Sequence, residues 1–277
     1  MSSIDLHCHS YISDGALSPR DLILLAHQQE ASMIALTDHD QIDGLNEARK
    51  TASELGITFI NGVEISVTWR HKTIHIVGLN FTPSENMRQV LAENRSGRLQ
   101  RLAQMAERLE KRGKITGVYE GALALVNHPD SVSRTHVAQY LVACGAVRNT
   151  NHAFKKWLGD GKPACVPHQW IGLNDAVQLI KNHNGIAVLA HPARYRLSAT
   201  INRLLIEEFI AAGGEAVEVG SSTHNLSEQL RWAELAHQYQ LLSSVGSDFH
   251  GNGEFGRHLG KTPDLPSICT PVWIVFK

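Results

Sequence analysis

The apolar positions of the chain alternate between two spacings. Short apolar runs of strand length include "MIALT" (33–37), "IAVLAHP" (186–192), "EAVEVGS" (215–221) and "LLSSVGSDFHG" (241–251). Between them lie segments whose apolar residues recur at helical spacing: "SPRDLILLAHQQE", "DGLNEARKTASELG", "LNDAVQLIKNHNG", "INRLLIEEFIAAGG" and "LSEQLRWAELAHQYQ". The first of these opens with Ser18 as N-cap and Pro19 at the first helical position; the second runs from Asp43 as cap to Gly56 as stop, and Asn174 is the expected cap of the third. "SSIDLH", "ITFI" and "VEISVTW" read as further strands, and "TIHIVGLN" pairs back on the last of them through a turn at residues 70–72.

The rhythm breaks in the middle. Residues 84 to 112 form one long polar helical pattern, "SRTHVAQYLVACG" is a helix capped by Ser133, and no strand signal occurs between about 82 and 164. Repeated strand–helix units imply a mainly parallel α/β sheet, open or closed. The expected layout is one α/β domain from residues 1–82 and 165–277, with a helical insertion, 83–164, covering one rim of it.

Composition narrows the class. The chain has 277 residues, 43% of them hydrophobic, enough for a substantial core. A net charge of −1 excludes a general nucleic-acid coat protein but leaves room for a phosphorylated small molecule or one end of a nucleic acid. The four cysteines, Cys8, Cys144, Cys165 and Cys269, are scattered without a CxxC pair, which fits a reduced, cytoplasmic protein. There is no signal-peptide pattern and no apolar run of membrane-spanning length, and no obligatory protein partner is indicated.

The sixteen histidines change the picture, because of where they stand. His7 and His9 end the first strand; Asp38, His39 and Asp40 end the second; Glu64 and His75 lie within strands; His191 follows "IAVLA"; and Asp248 and His250 follow "SSVGS". In parallel α/β folds the C-terminal strand ends converge on one rim, where sites are built. Residues two apart in an extended chain share a face, so His7 with His9, and Asp248 with His250, can serve one ion while Cys8 points away as a core filler. Imidazole and carboxylate donors without thiolate suit Mn, Zn or Fe, and spacing does not choose among them. There are more donors than one ion needs; two or three ions sharing Glu64 would use them all. A single histidine here is as easily a hydrogen-bonded core residue; His27, His183 and His237 sit within helical patterns and are read as surface or packing residues.

In order along the chain, "DLHCHSYISDG", "ALTDHD", "GVEIS", "IHIVGLN", "AHP" and "GSDFH" resemble the motifs of the polymerase-and-histidinol-phosphatase (PHP) family. The inserted segments look more narrowly like that family's 5′-to-3′ exoribonucleases, which mature ribosomal RNA 5′ ends, and its nucleoside 3′,5′-bisphosphate phosphatases. The resemblance implies a distorted (β/α)7 barrel with two or three divalent ions, manganese first among the candidates. By motif, His7, His9, Glu64 and Asp248 would hold one ion, Glu64, His75 and His191 a second, and Asp14, His39 and His250 a third. Cys165 departs from the aromatic residue expected in its stretch, which leaves any stacking role there without support.

Phosphate chemistry also needs donors beyond the ions. Arg134 and His136 open a helix whose dipole favours an anion, and Arg194 lies three residues past His191. These three are expected to clamp a substrate phosphate. Lys162 either joins them or is a solvated loop residue. The expected catalytic group is Glu64, His191 and Asp40, with Asp40 relaying a proton to the leaving oxygen or supporting a ligand. The charged run 93–114 reads as a solvated helix face, with contact to a nucleic-acid backbone as the alternative. The expected substrates are RNA 5′ ends or nucleotides. The rival readings are a small-molecule phosphatase of nucleoside bisphosphates or histidinol phosphate, and an inactive metal-binding scaffold.

Overall fold

Parallel pairing dominates the sheet, and four of its parallel steps are each made by one helix returning over it. The computed structural model describes residues 3–251 and 258–276. Strand β1 (Ser3–Asp5) is followed by helix α1 (Pro19–Gln28), β2 (Ala31–Leu36), α2 (Leu45–Leu55), β3 (Thr58–Trp69) and β4 (Lys72–Leu79). Helices α3 (Glu85–Arg95), α4 (Arg98–Gly113), α5 (Val118–Leu123), α6 (Arg134–Ala143) and α7 (Thr150–Ala153) come next, without a strand among them. The alternation then resumes with β5 (Ile171–Gly172), α8 (Leu173–Lys181), β6 (Ile186–Leu189), α9 (Ala199–Ala211), β7 (Ala216–Ser221), α10 (Leu226–Gln238) and β8 (Leu242–Gly246).

Seven strands run in the order β1-β2-β3-β4-β6-β7-β8, with two-residue β5 joined to β3. The two ends of that order meet. Leu6 N–H donates to Val245 O at 3.0 Å, Asp248 N–H to His7 O at 2.7 Å and His9 N–H to Phe249 O at 2.9 Å. A Cβ at Gly246 would fall 2.2 Å from His7 Cβ, so this seam closes only over glycine. The result is a closed α/β barrel. Its distortion lies at β4, which runs antiparallel to both β3 and β6. The hairpin that reverses the chain has Arg70 and His71 at φ 45° and 65°, the pair of positive φ values a two-residue I′ loop requires.

Alternation along each strand sends side chains to two cores. In β4, Ile74 and Ile76 join the larger core beneath the helices, whereas Val77 and Leu79 face a smaller one shared with Leu6, Val188 and Val272. A third core, running from Leu102 to Val166, belongs to the inserted helices.

Some local expectations needed correction. "ITFI" and "VEISVTW" are one twelve-residue strand, β3. The polar pattern from 84 to 112 divides into α3 and α4 at Gly97, where a Cβ would stand 2.2 Å from the His168 ring. Helix α8 begins at Leu173 with Gly172 as its cap, so Asn174 lies inside the first turn. Helix α2 starts at Leu45 with Gly44, not Asp43, as cap, and ends at Gly56 in the left-handed region (φ 71°) as expected. Ser18 and Ser133 cap α1 and α6 as the sequence indicates.

The candidate metal centre

One carboxylate organises the rim. Glu64 is fully buried in β3. Its Oε1 lies 2.7 Å from His75 Nδ1 and 2.9 Å from His191 Nε2. Its Oε2 lies 3.0 Å from His39 Nδ1 and 3.3 Å from both His7 Nε2 and His9 Nε2. Asp248 Oδ1 stands 3.4 Å from His9 Nε2 and 3.5 Å from His250 Nδ1, and Asp14 Oδ1 stands 3.4 Å from His250 Nε2. Three overlapping donor groups result, each compact enough for one cation: His7, His9, Glu64 and Asp248; His39, Glu64 and His75; and His9, Asp14, His39 and His250. His191 meets the cluster through Glu64. All nine residues expected as ligands are thus brought together: Glu64 and His75 from within β3 and β4, and the rest from the segments that follow β1, β2, β6 and β8.

The backbone is held under tension at this rim. Asp248 and Asp40 adopt φ of 51° and 53°, and His191 sits at φ 27°, where a β-carbon is crowded. Pro192 constrains the chain after His191, and the His191 N–H donates to Glu218 Oε2 at 3.0 Å. The same Glu218 oxygen lies 2.9 Å from His7 Nδ1, which turns His7 Nε2 toward Glu64. Asp38 is equally internal: Ser10 N–H and the Ser10 and Ser13 hydroxyls all donate to it, fixing the loop that carries Asp14. Cys8 Sγ–H donates to Ala35 O, away from the cluster.

The electrostatics are those of a site made for cations. Burial alone would push the Glu64 carboxyl up, but His75, His39 and His7 around it hold it well below the usual carboxylate range. Asp14 is likewise opposed by burial and held well below its ordinary value by His250 and His39. Burial keeps His191 neutral, with Arg194 adding to the effect, and its pKa falls to about 3. The buried polar atoms that no hydrogen bond satisfies include His7 Nε2, both nitrogens of His9, Asp14 Oδ1, His39 Nδ1 and Glu64 Oε2, all within these donor groups. Unsatisfied buried lone pairs of both nitrogen and oxygen, converging within a few ångströms, fit divalent metal ions.

Above the cluster is a cavity of about 1260 Å³, walled on one side by Asp14, His39, His75 and Asp248 and on the other by the insertion. Arg134, Lys162 and Arg194 reach its wall. Arg194 Nη1 also donates to Asp248 Oδ2 at 2.6 Å. Arg134 pairs with Asp160 at 3.2 Å. His136 is buried at the start of α6 and does not contribute to the wall; its Nδ1 accepts the Ser133 N–H at 3.0 Å in a capping box. Asp40 also faces elsewhere than the cavity. Its carboxylate accepts from Ser66 N–H and Oγ–H, from Asn94 and from Arg98, so four donors occupy it. Two arginines of the charged run turn inward too, Arg101 and Arg108 donating to the carbonyls of Val166 and Cys165, while Arg112 reaches the Pro163 carbonyl from the surface. Trp170, unremarkable in the sequence, lies in the cavity wall beneath the guanidinium groups of Arg98 and Arg101, at 5.1 and 5.6 Å.

Known proteins resemble this chain along nearly their whole length. The PHP domain profile matches residues 5–149. A 3′,5′-nucleoside bisphosphate phosphatase of Chromobacterium violaceum is 47% identical, across 99% of this chain and 96% of that protein. A 5′-3′ exoribonuclease of Haemophilus influenzae is 42% identical over 98% of each. The structure of an amidohydrolase from Chromobacterium violaceum, with bound sulfate and no metal, superposes with a TM-score of 0.95 at 46% identity, covering 99% of this chain and 95% of that one. With the rim motifs in place and likeness of this extent, the chain belongs to the PHP family.

Proposed function

We propose that the protein is a metal-dependent phosphoesterase that removes nucleotides from the 5′ end of RNA and also hydrolyses the 3′-phosphate of nucleoside 3′,5′-bisphosphates such as adenosine 3′,5′-bisphosphate (pAp). The observation that carries the reading is the position of three donor groups around Glu64 at the base of a cavity whose wall bears Arg98, Arg101, Arg134, Lys162 and Arg194. The two substrates pose one problem. Each carries a 5′-phosphate and a phosphoester on the neighbouring 3′ oxygen, and they differ in whether that second phosphate continues into a strand. A site that grips the terminal phosphate and cuts the adjacent ester serves both. The relatives named as a phosphatase and as an exoribonuclease support that dual reading.

The residues divide the work. His7, His9, Asp14, His39, Glu64, His75, His191, Asp248 and His250 would hold two or three divalent ions, for which manganese is the proposed metal. When bound, such ions neutralise phosphoryl oxygens as Lewis acids and lower the pKa of a coordinated water. Glu64 and His191 keep the donor groups in register through their 2.9 Å contact. Arg194 orients Asp248 and offers its remaining N–H groups to a phosphate, bidentately where geometry allows. Arg134 and Lys162 supply charge from the roof. Asp40, filled by four donors, positions the insertion over the rim. No helix among the described residues is long and apolar enough to cross a membrane, and Cys8, Cys144, Cys165 and Cys269 are free thiols, which supports placing the activity in the cytoplasm.

Incubation with Mn²⁺ and a 5′-labelled, 5′-phosphorylated oligoribonucleotide tests the reading. Labelled mononucleotide should be released, and free phosphate should form from pAp. Release of labelled oligonucleotides, or turnover that survives in His39→Ala and Asp248→Ala, would overturn it.

A further inference from the structure

The insertion carries a second depression that the chemistry at Glu64 does not use. It has a volume of about 440 Å³, within the range of sites that take small ligands, and is lined by Arg148, Asn149, Asn151, His152, Lys155 and Lys156. Asn151 and Lys155 also line the main cavity, so the two spaces adjoin along α7.

Its charge differs in kind from that of the Arg-rich helix α4. Arg98 is spent on Asp40, and Arg101, Arg108 and Arg112 are spent on backbone carbonyls. Arg148, Lys155 and Lys156 are exposed, and among the described residues none of the three forms an ion pair. From Cys144 to Gly159 the sequence holds three cations and no carboxylate. Local structure presents them outward. Asn149 caps α7 by accepting the His152 N–H at 2.8 Å, and the helix widens into a π turn over Phe154–Leu158. Trp157 and Leu158 are buried there against the core of the insertion, while Lys155 and Lys156 stay in solvent. Lys156 Nζ rests 5.2 Å over the Trp157 ring. Phe154 lies in the main cavity wall just before them.

We propose that this basic groove binds the phosphodiester backbone of the RNA strand on the 3′ side of the nucleotide being cut. The inference rests on the exoribonuclease reading above. A strand whose 5′ end reaches the ions must leave the cavity, and the groove that adjoins it is cationic and polar. Backbone binding by lysine and arginine is indifferent to sequence, as degradation of successive nucleotides requires. A nucleoside bisphosphate has no strand beyond its 3′-phosphate to lay in the groove. The groove therefore separates the two substrates of one active site: it raises affinity for RNA and leaves hydrolysis of pAp untouched.

The test is the double variant Arg148→Gln/Lys156→Gln, whose side chains lie outside the main cavity. With Mn²⁺-loaded enzyme, kcat/KM for pAp should stay within about twofold of wild type. That for a 5′-phosphorylated 12-nucleotide RNA should fall about tenfold, mostly through KM. Binding of a fluorescent 12-nucleotide RNA, followed by anisotropy in EDTA, should weaken in parallel. Its log–log dependence on salt should become shallower by about 1.4, because each single-strand phosphate neutralised by a side chain adds about 0.7 to the slope and the variant neutralises two fewer. Equal losses on pAp and RNA, or RNA affinity and salt slope unchanged in the variant, would overturn the groove. A wild-type enzyme that hydrolyses pAp but leaves the 12-nucleotide RNA intact would overturn the exoribonuclease reading itself, and the groove with it.

Discussion

Ser133 Oγ–H donates to Asp14 Oδ2 at 3.0 Å, joining the cap of an inserted helix to a carboxylate on the barrel rim 119 positions earlier. The same oxygen accepts the Thr135 N–H at 3.0 Å, so one hydroxyl both caps α6 and orients a ligand of the candidate metal centre.

Removing that hydroxyl should therefore have two separable effects. Ser133→Ala is expected to lower stability by about 1 kcal/mol through loss of the cap. It should also weaken the ion held by Asp14, His39 and His250 by about 10- to 100-fold, the usual cost of losing a partner behind a ligand. Metal content per chain after dialysis against limiting Mn²⁺ checks this: one ion fewer is expected. Full occupancy at wild-type affinity would show that Asp14 does not depend on α6.

Asp40 and Arg98 form a buried pair, with Asn94 and Ser66 completing the carboxylate's hydrogen bonds. Such a network holds the insertion to β3. Asp40→Ala leaves a buried guanidinium unpaired and is expected to cost about 3–5 kcal/mol in urea unfolding. A proton relay would behave otherwise, with turnover collapsing in Asp40→Asn at little cost in stability; that outcome would return Asp40 to the chemistry.

That these residues gather at one rim was legible in the sequence because most of them stand just past strands of a mainly parallel sheet. His7, His39, His191 and Asp248 each follow a stretch that reads as a strand, and period-two spacing paired His7 with His9. Glu218 was harder to see. It is one acid in the apolar strand "AVEVG", and its role appears only when β7 brings it to 2.9 Å of His7. A charge that interrupts a buried strand was the available signal. His136 is turned away from the cavity for a physical reason. Its place at a helix N-terminus suggests an anion site, yet at the third helical position a side chain can reach back to the cap, and the imidazole does so. Gly97 divided a helix the polar pattern ran through, because its reason is the ring of His168, far along the chain.

Glu218 should prove nearly as important as a ligand. It orients His7 through Nδ1 and braces the strained backbone of His191. Glu218→Gln keeps the volume but removes the charge facing His7. It should reduce Mn²⁺ affinity by about 10- to 100-fold. Calorimetric titration of the chelator-treated protein would measure this, and unchanged affinity would count against the role assigned to it.

His136 yields a pH dependence whose sign can be worked out. Burial, the largest influence, lowers its pKa to about 4 in the folded protein, against an ordinary value near 6.5 when unfolded. Between those values the unfolded chain holds a proton that the folded one does not, so stability falls as pH drops from about 6.5 toward 4 and is fully present above 6.5. Protonation at Nδ1 would also displace the Ser133 N–H it accepts. A shift of this size corresponds to about 3 kcal/mol at most. In His136→Gln, the amide oxygen at the third helical position can take the same N–H and does not titrate. Unfolding free energies measured by urea in EDTA from pH 5 to 8 should therefore nearly coincide for the two proteins at pH 8. They should diverge in favour of the variant below pH 6.5. Other buried histidines titrate in both proteins and cancel in the difference, so parallel curves throughout would mean that His136 is not neutral in the folded state.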